Sequence, residues 1–587
     1  MPIPSAPPIA MVFAQNLATV FAANLVRPLL VVTKPRKPDN FNNFGYIFQC
    51  GCYFLPASGD TVTIETALMF AERPDSSAAI SDFLEGRPGW IDANEVTAPF
   101  CSLMYREDSY RGLMVAVGLE LGASILRRLH DAVFLSIEGG DAADVALIES
   151  DAFYLSMLRD DQRWTAFRRG ARHLRYSPVP AVEDAASSFC MKVDLPSAEN
   201  PYIVDFDFGS DRLIRDRFGV LIGKNGAGKS QILLSIVDGL ANNPAVCLVP
   251  RKRRVRFLNR KGGSFKFGPP HFSRIVVFSS TPSDRYPPRI DPWLGIDYQY
   301  FAMTQPAVGA YDGVTVSIVD CMRDDFRVFF PVPGQRDVLG VTAGGRFELL
   351  KHVLSPLGLW TLVHLPLKDS AESEPFTELN WQGRRYISAD RRFNEQRKLR
   401  VYRQLDLSAS PVLFDQTTRE PRHLSSGEAA MFRFAAQATA AAEMGTLFLF
   451  DEPETHLHPH FVSEFTEILH LLLMATKSVA IAATHSPHLV REAPSRRVRT
   501  LQIEDRIVRV EQPRIQTFGA SIDAISRAVF GDLDVGHQFQ ATLRRWVESL
   551  GPETTIERVV AEFGEDLNAE SLAYLRRLIE KRGSDGP

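Results

Sequence analysis

The chain has 587 residues, 45% of them hydrophobic, and a formal net charge of −4. That length supports several domains with sizeable cores, and the near-neutral balance excludes a chain basic enough to coat nucleic acid everywhere, leaving only local patches. Six scattered cysteines without C-x-x-C spacing exclude a disulfide scaffold and fit a reducing cytosol.

Residues 1–195 are the least legible third and read as an α+β region of unknown role. Ile9–Val26 carries no charge, yet Gln15, Asn16, Thr19 and Asn24 interrupt it and no cationic lead precedes it. It reads as an amphipathic helix rather than an anchor or signal, and nothing later spans a membrane. Phe41–Phe54 and Thr61–Phe70 read as strands, Tyr110–Leu129 as a helix, and Asp151–Arg172 as one or two more. Cys50 and Cys52 share a strand face, but two thiols are too few for a structural zinc. The acidic residues are scattered as on a solvated surface.

Tyr202–Phe208 alternates like an edge strand, and Tyr202, Phe206 and Phe208 suit either a core or adenine stacking. The apolar run Phe218–Ile222 then feeds Gly223-Lys224-Asn225-Gly226-Ala227-Gly228-Lys229-Ser230, with helical spacing of apolar residues beyond Gln231. This strand, glycine-rich loop and helix form a phosphate-binding P-loop. Its glycines let backbone N–H groups face phosphate at a helix N-terminus, Lys229 would bridge the β- and γ-phosphates of ATP, and the Ser230 hydroxyl would hold Mg²⁺.

Almost two hundred residues separate this loop from the next motif, read as a globular insertion at about 285–405 because prolines and glycines break any heptad run. Two basic segments, Arg251–Lys261 and Arg384–Arg403, could track nucleic-acid phosphates or form solvated faces. Leu424-Ser425-Ser426-Gly427-Glu428 then opens an alanine-rich helix, a second anion cradle of hydroxyls and free N–H groups. Thr446–Phe450 is a buried strand ending in Asp451-Glu452-Pro453, where a parallel sheet puts its ligand chemistry. Asp451 would hold Mg²⁺ and Glu452 would polarise the attacking water. Ser478–Ala483 is another buried strand, ending in Thr484-His485-Ser486, with His485 expected beside the γ-phosphate. Residues 516–587 read as a short helical tail.

In this order the motifs resemble the ATP-binding cassette ATPases over residues 196–515, outside the insertion. The resemblance implies an α/β P-loop NTPase core, with Lys229 and Ser230 in Walker A, Asp451 and Glu452 in Walker B, Ser425–Gly427 in the signature, and His485 as the switch histidine. It also implies a homodimer in which each signature completes the partner's ATP site. The stretch Asp451-Glu-Pro-Glu-Thr-His-Leu-His-Pro459 is similar to the overcoming-lysogenisation-defect family, recombination-mediator ATPases and ATPases of anti-phage systems of Septu or retron type. The implied function is a cytoplasmic ATPase switch that controls a partner nuclease or toxin. A DNA-repair clamp is the alternative, and a transporter subunit is disfavoured by His458 and the insertion. Two departures stand out: no glutamine follows strand Ile275–Phe278, where Ser279-Ser-Thr281 stands, and the tail lacks the acidic cluster of a nuclease.

Overall fold

A computed structural model of the chain describes residues 9–35, 45–175, 185–209, 217–241, 263–280, 286–287, 296–303, 313–324, 330–331, 343–368, 379–391, 395–415, 417–418, 420–455, 459–530, 538–549, 555–563, 567 and 569–584. It divides into two compact units, Met1–Gly519 and Ala520–Pro587. The second unit carries helices Ile522–Phe530, Gln538–Ser549, Ile556–Phe563 and Ala569–Ser584, with Val547, Val559 and Leu575 in a small core.

A seven-stranded sheet lies at the heart of the first unit, in the order Asp297–Ala302, Arg274–Ser279, Leu447–Asp451, Val479–Thr484, Phe218–Gly223, Val498–Glu504, Ile507–Glu511. All neighbours are parallel except the last pair. The three central strands are buried along their whole lengths. Continuous apolar runs suit strands covered on both faces. This order seats the strand ending at Thr484 between the P-loop strand and the one ending at Asp451, so the three C-terminal ends lie side by side.

A second, three-stranded sheet (Ser264–Phe265, Ser188–Val193, Tyr202–Asp207) packs with the P-loop helix Lys229–Ala241 in one hydrophobic core. Tyr202, Phe206 and Phe208 are buried there, so the core reading of these rings holds and the stacking reading does not. The Ser188–Val193 strand thus packs in the same core as the P-loop helix, ahead of residue 196.

The insertion also differs in extent from 285–405. Asp297–Ala302 belongs to the central sheet, because its register with Arg274–Ser279 extends that sheet by one strand. The insertion's own antiparallel sheet, in the order Leu379–Trp381, Arg384–Ser388, Val363–Pro366, Val412–Asp415, Glu420–Arg422, continues past residue 405. Its last strand runs directly into Ser425.

Near the N-terminus, Ile9–Val26 is not one helix. Ala10–Ala14 is a strand paired in parallel with Leu29–Thr33, and only Leu17–Ala22 is helical. Met11, Val12 and Phe13 gain burial in a five-stranded sheet that outweighs the uncharged helical pattern. The Tyr110–Leu129 segment is two helices, Glu107–Val117 and Leu119–Arg128, separated by Gly118 at φ +83°. Among the described residues no helix is long and apolar enough to cross a membrane.

Candidate active site

Beyond Gly223 the chain turns through Lys224–Gly228 and enters its helix at Lys229. Gly226 and Gly228 have φ of +83° and +90°, conformations open to glycine at no steric cost. A Cβ on Gly228 would lie 3.0 Å from Leu195 Cδ1 and from the Tyr202 hydroxyl, and that hydroxyl donates to Ala227 O at 3.2 Å. The three-stranded sheet thereby braces the loop from behind while Lys224, Asn225 and Gly226 stay exposed.

Lys229 is 5% exposed. Its Nζ donates to Gly223 O at 3.0 Å and lies 3.2 Å from Glu452 Oε1. Ser230 Oγ donates to Asp451 Oδ1 at 2.9 Å, and the Tyr286 hydroxyl donates to Asp451 Oδ2 at 3.1 Å. Burial pushes the Asp451 carboxyl up to about 6, against the pull of these two hydroxyls.

Glu452 has φ +54°, a left-handed conformation rare outside glycine. Its N–H donates to Ala483 O at 2.8 Å, and its carbonyl accepts from Thr455 N and Oγ1. Held this way, the carboxylate meets Lys229 on one side and His485 Nδ1 on the other. Such backbone strain, where charged groups converge, is of the kind found at ligand sites. Ligand atoms of Glu452, Glu454 and His485 all lie within 4.8 Å of one another.

The residues fit nucleotide and Mg²⁺. The glycine turn at a helix N-terminus offers N–H donors, Lys229 supplies a positive charge, and a hydroxyl beside a carboxylate is the hard-oxygen set that Mg²⁺ takes.

The Ser425–Gly427 motif makes its contacts at the start of another helix. Ser425 caps the helix Ser426–Ala441 in a reciprocal capping box with Glu428. Arg422 pairs with both Glu428 oxygens, at 2.7 and 2.8 Å, and holds that carboxyl down to about 2. A Cβ on Gly427 would approach the Phe461 ring to 2.3 Å, so a larger residue would have to displace that ring. Ser425 and Ser426 are exposed, and among the described residues no hydrogen bond or ion pair joins them to Gly223–Ser230.

Arg251–Lys261 and His458 lie outside the described residues. In the second basic segment Arg384 pairs with Asp406 and Arg385 donates to Lys368 O, while Arg391 and Arg400 are exposed. Sequence reasoning missed Tyr286 and Glu454. Tyr286 is one aromatic in a proline-rich stretch and gives no pattern; Glu454 stands in the Asp-Glu-Pro-Glu run, a signal that was there to be read.

A family model described as "AAA domain, putative AbiEii toxin, Type IV TA system" matches residues 361–491. That span includes the Ser425 motif, Asp451, Glu452 and His485, but not the P-loop. Protein ea59 of Escherichia phage lambda is 24% identical over 374 residues, which cover 62% of this chain and 62% of that protein. Among solved structures, the SMC head domain from Thermotoga maritima is 14% identical, with 57% of this chain and 100% of that one covered and a TM-score of 0.26. UvrA2 from Deinococcus radiodurans is 15% identical, with 64% and 42% covered and a TM-score of 0.27. The sheet order, the glycine-rich loop and the family match together give a P-loop NTPase fold.

Proposed function

We propose that the protein binds and hydrolyses ATP to ADP and phosphate with Mg²⁺ as cofactor, and uses the cycle as a switch. One observation carries this reading: Ser230 Oγ donates to Asp451 Oδ1 while Glu452 stands between Lys229 and His485, at the ends of three adjacent strands. The loop N–H groups and Lys229 bind the phosphates. Ser230 and Asp451 would hold Mg²⁺, which would supply charge neutralisation at the phosphates. Glu452 orients and polarises the attacking water, and His485 donates toward the charge that develops on transfer.

The exposed Ser425 and Ser426 are offered to a second copy of the chain, so the working form is a homodimer with two composite sites. The resemblance of Asp451–Pro459 to anti-phage ATPases carries the further reading, a cytoplasmic switch that controls a partner nuclease or toxin, and the matched family's description names a toxin of a type IV system. Arg384 and Arg385 are engaged within the chain while Arg391 and Arg400 are exposed, and a direct DNA clamp is the alternative that the test below separates from partner control.

The test is steady-state ATP hydrolysis by wild type, Glu452→Gln and Lys229→Ala, with and without linear duplex DNA at two salt concentrations. Glu452→Gln should keep ATP binding and lose on the order of a thousandfold in turnover, whereas Lys229→Ala should lose affinity by removing a charge-assisted phosphate contact. Wild-type turnover in Glu452→Gln would sink the assignment. Strong stimulation by DNA that vanishes with salt would replace partner control by the DNA clamp.

A further inference from the structure

Glu454 is 8% exposed and lies three residues past the strand that ends at Asp451. Its Oε1 accepts from the Thr484 hydroxyl and, at 3.2 Å, from His485 N. Thr484 Oγ1 in turn accepts from Ser486 N at 2.8 Å. One carboxyl oxygen therefore organises, directly or through Thr484, three consecutive residues where the neighbouring strand ends and turns. The other oxygen, Oε2, is buried with no hydrogen-bond partner among the described residues. An acid that leaves one buried oxygen unsatisfied is an expensive way merely to staple two strands already joined through the ladder from Leu447–Val479 to Asp451–Ala483.

What Glu454 adds is control over His485. That side chain is half exposed and has little packing to fix it. It is held at the ring by Glu452 and at the backbone N–H by Glu454, whose Oε1 also lies 3.5 Å from Nδ1. Glu452 grips the same turn from below through its N–H to Ala483 O.

We infer that Glu454 is a positioning residue: it fixes the Thr484–Ser486 turn so that the His485 imidazole stays on Glu452, and its contribution to turnover passes through His485. The inference rests on the ATPase reading above.

Its test compares wild type, Glu454→Gln, Glu454→Ala, His485→Ala and the Glu454→Ala/His485→Ala double variant. Three quantities are read: kcat, affinity for a fluorescent ATP analogue, and deuterium uptake by the peptide spanning Val479–Val490. Glu454→Ala should lower kcat roughly 10- to 100-fold with nucleotide affinity changed by less than about threefold, since the P-loop is untouched. Glu454→Gln keeps an acceptor oxygen and should stay within about fivefold of wild type. The double variant should be no slower than His485→Ala alone, because residues that act as a unit are not additive. Uptake at the turn should rise in Glu454→Ala and stay near wild type in Glu454→Gln.

Additive losses in the double variant, or unchanged uptake in Glu454→Ala, would overturn the inference. If Glu454→Ala fails to fold, Glu454→Asp, one methylene shorter, takes its place with the same expectations. If wild type does not hydrolyse ATP at all, the ATPase reading falls, and the uptake arm still decides by itself whether Glu454 holds the turn.

Discussion

Asp451 gathers two hydroxyl donors from distant parts of the chain, Ser230 on one oxygen and Tyr286 on the other. Residues behind a metal ligand set its orientation, and their loss typically weakens metal binding. Tyr286→Phe keeps the ring that stacks on Tyr300 and deletes only the donor. It should raise the half-saturating Mg²⁺ concentration roughly tenfold while kcat at saturating Mg²⁺ survives, read from turnover across a Mg²⁺ titration; an unchanged Mg²⁺ dependence would remove Tyr286 from the site. A second acid makes a prediction about stability. Asp131 is fully buried, accepts from the Tyr110 hydroxyl and caps the helix Ala132–Glu138, and burial pushes it up to about 7. A carboxyl raised on folding stabilises the fold below the ordinary aspartate range, and that contribution is lost as pH rises through about 7. It amounts to a few kcal/mol, on the order of 2–4. Asp131→Asn keeps an acceptor oxygen for the cap, so its melting temperature should fall less than wild type between pH 5 and pH 8. The contrast with sequence legibility is plain at this scale. That Lys229, Ser230, Asp451 and Glu452 come together was readable, because a glycine turn and a strand end at this spacing place them there. Tyr286 was not, because it reaches Asp451 across 165 residues and only the fold brings it there.

The helix Ser426–Ala441 is held at both ends. Its start is capped by Ser425 and Glu428, and its last carbonyls receive three arginines from three different parts of the unit. Arg346 from the insertion donates to Thr439 O at 2.6 Å and Ala442 O at 2.5 Å, Arg169 from the N-terminal region to Ala440 O at 2.9 Å, and Arg274 from the central sheet to Ala441 O at 2.5 Å. Cationic groups at a helix C-terminus satisfy orphan carbonyls and oppose the helix dipole. Asp324 pairs with Arg346 and Arg169, at 2.7 and 2.8 Å, which spares these charges the cost of lone burial. Arg346→Met removes the cap and leaves Asp324 short of a partner. It should cost on the order of 3 kcal/mol, measured by urea unfolding, and a neutral result would mean that Arg169 and Arg274 suffice. None of this cluster was legible, since its members are single arginines far apart in sequence. The central strands were legible, because full burial on both faces leaves an unmistakable apolar run such as Leu447–Phe450. Ala10–Ala14 was not, because five uncharged residues fit a helix as readily as a strand until Leu29–Thr33 pairs with them.

Each chain carries one P-loop and one exposed Ser425-Ser426 turn, and among the described residues no hydrogen bond or ion pair joins the two. A closed two-fold dimer would bring each turn to the partner's loop, giving two identical composite sites from one interface. This can be tested with variants that leave the fold intact. Ser426 is exposed at the first position of its helix, and the cap is made by Ser425, so Ser426→Arg should fold normally while obstructing the partner's phosphate site. It should bind ATP within about threefold of wild type and lose at least tenfold in turnover, and in the Glu452→Gln background it should elute as a monomer with ATP where Glu452→Gln alone elutes as a dimer. Lys229→Ala and Ser426→Arg are then expected to complement each other. In a mixed dimer one site carries both defects and the other carries neither, because the intact loop of one protomer faces the intact turn of the other. An equal mixture of the two inactive proteins should therefore recover roughly a quarter of wild-type turnover, as half of the dimers are mixed and each has one working site. If the mixture stays inactive while each variant still binds its partner, the sites are not shared. If Ser426→Arg alone hydrolyses ATP at the wild-type rate, each chain works by itself and the exposed serine turn serves some other contact.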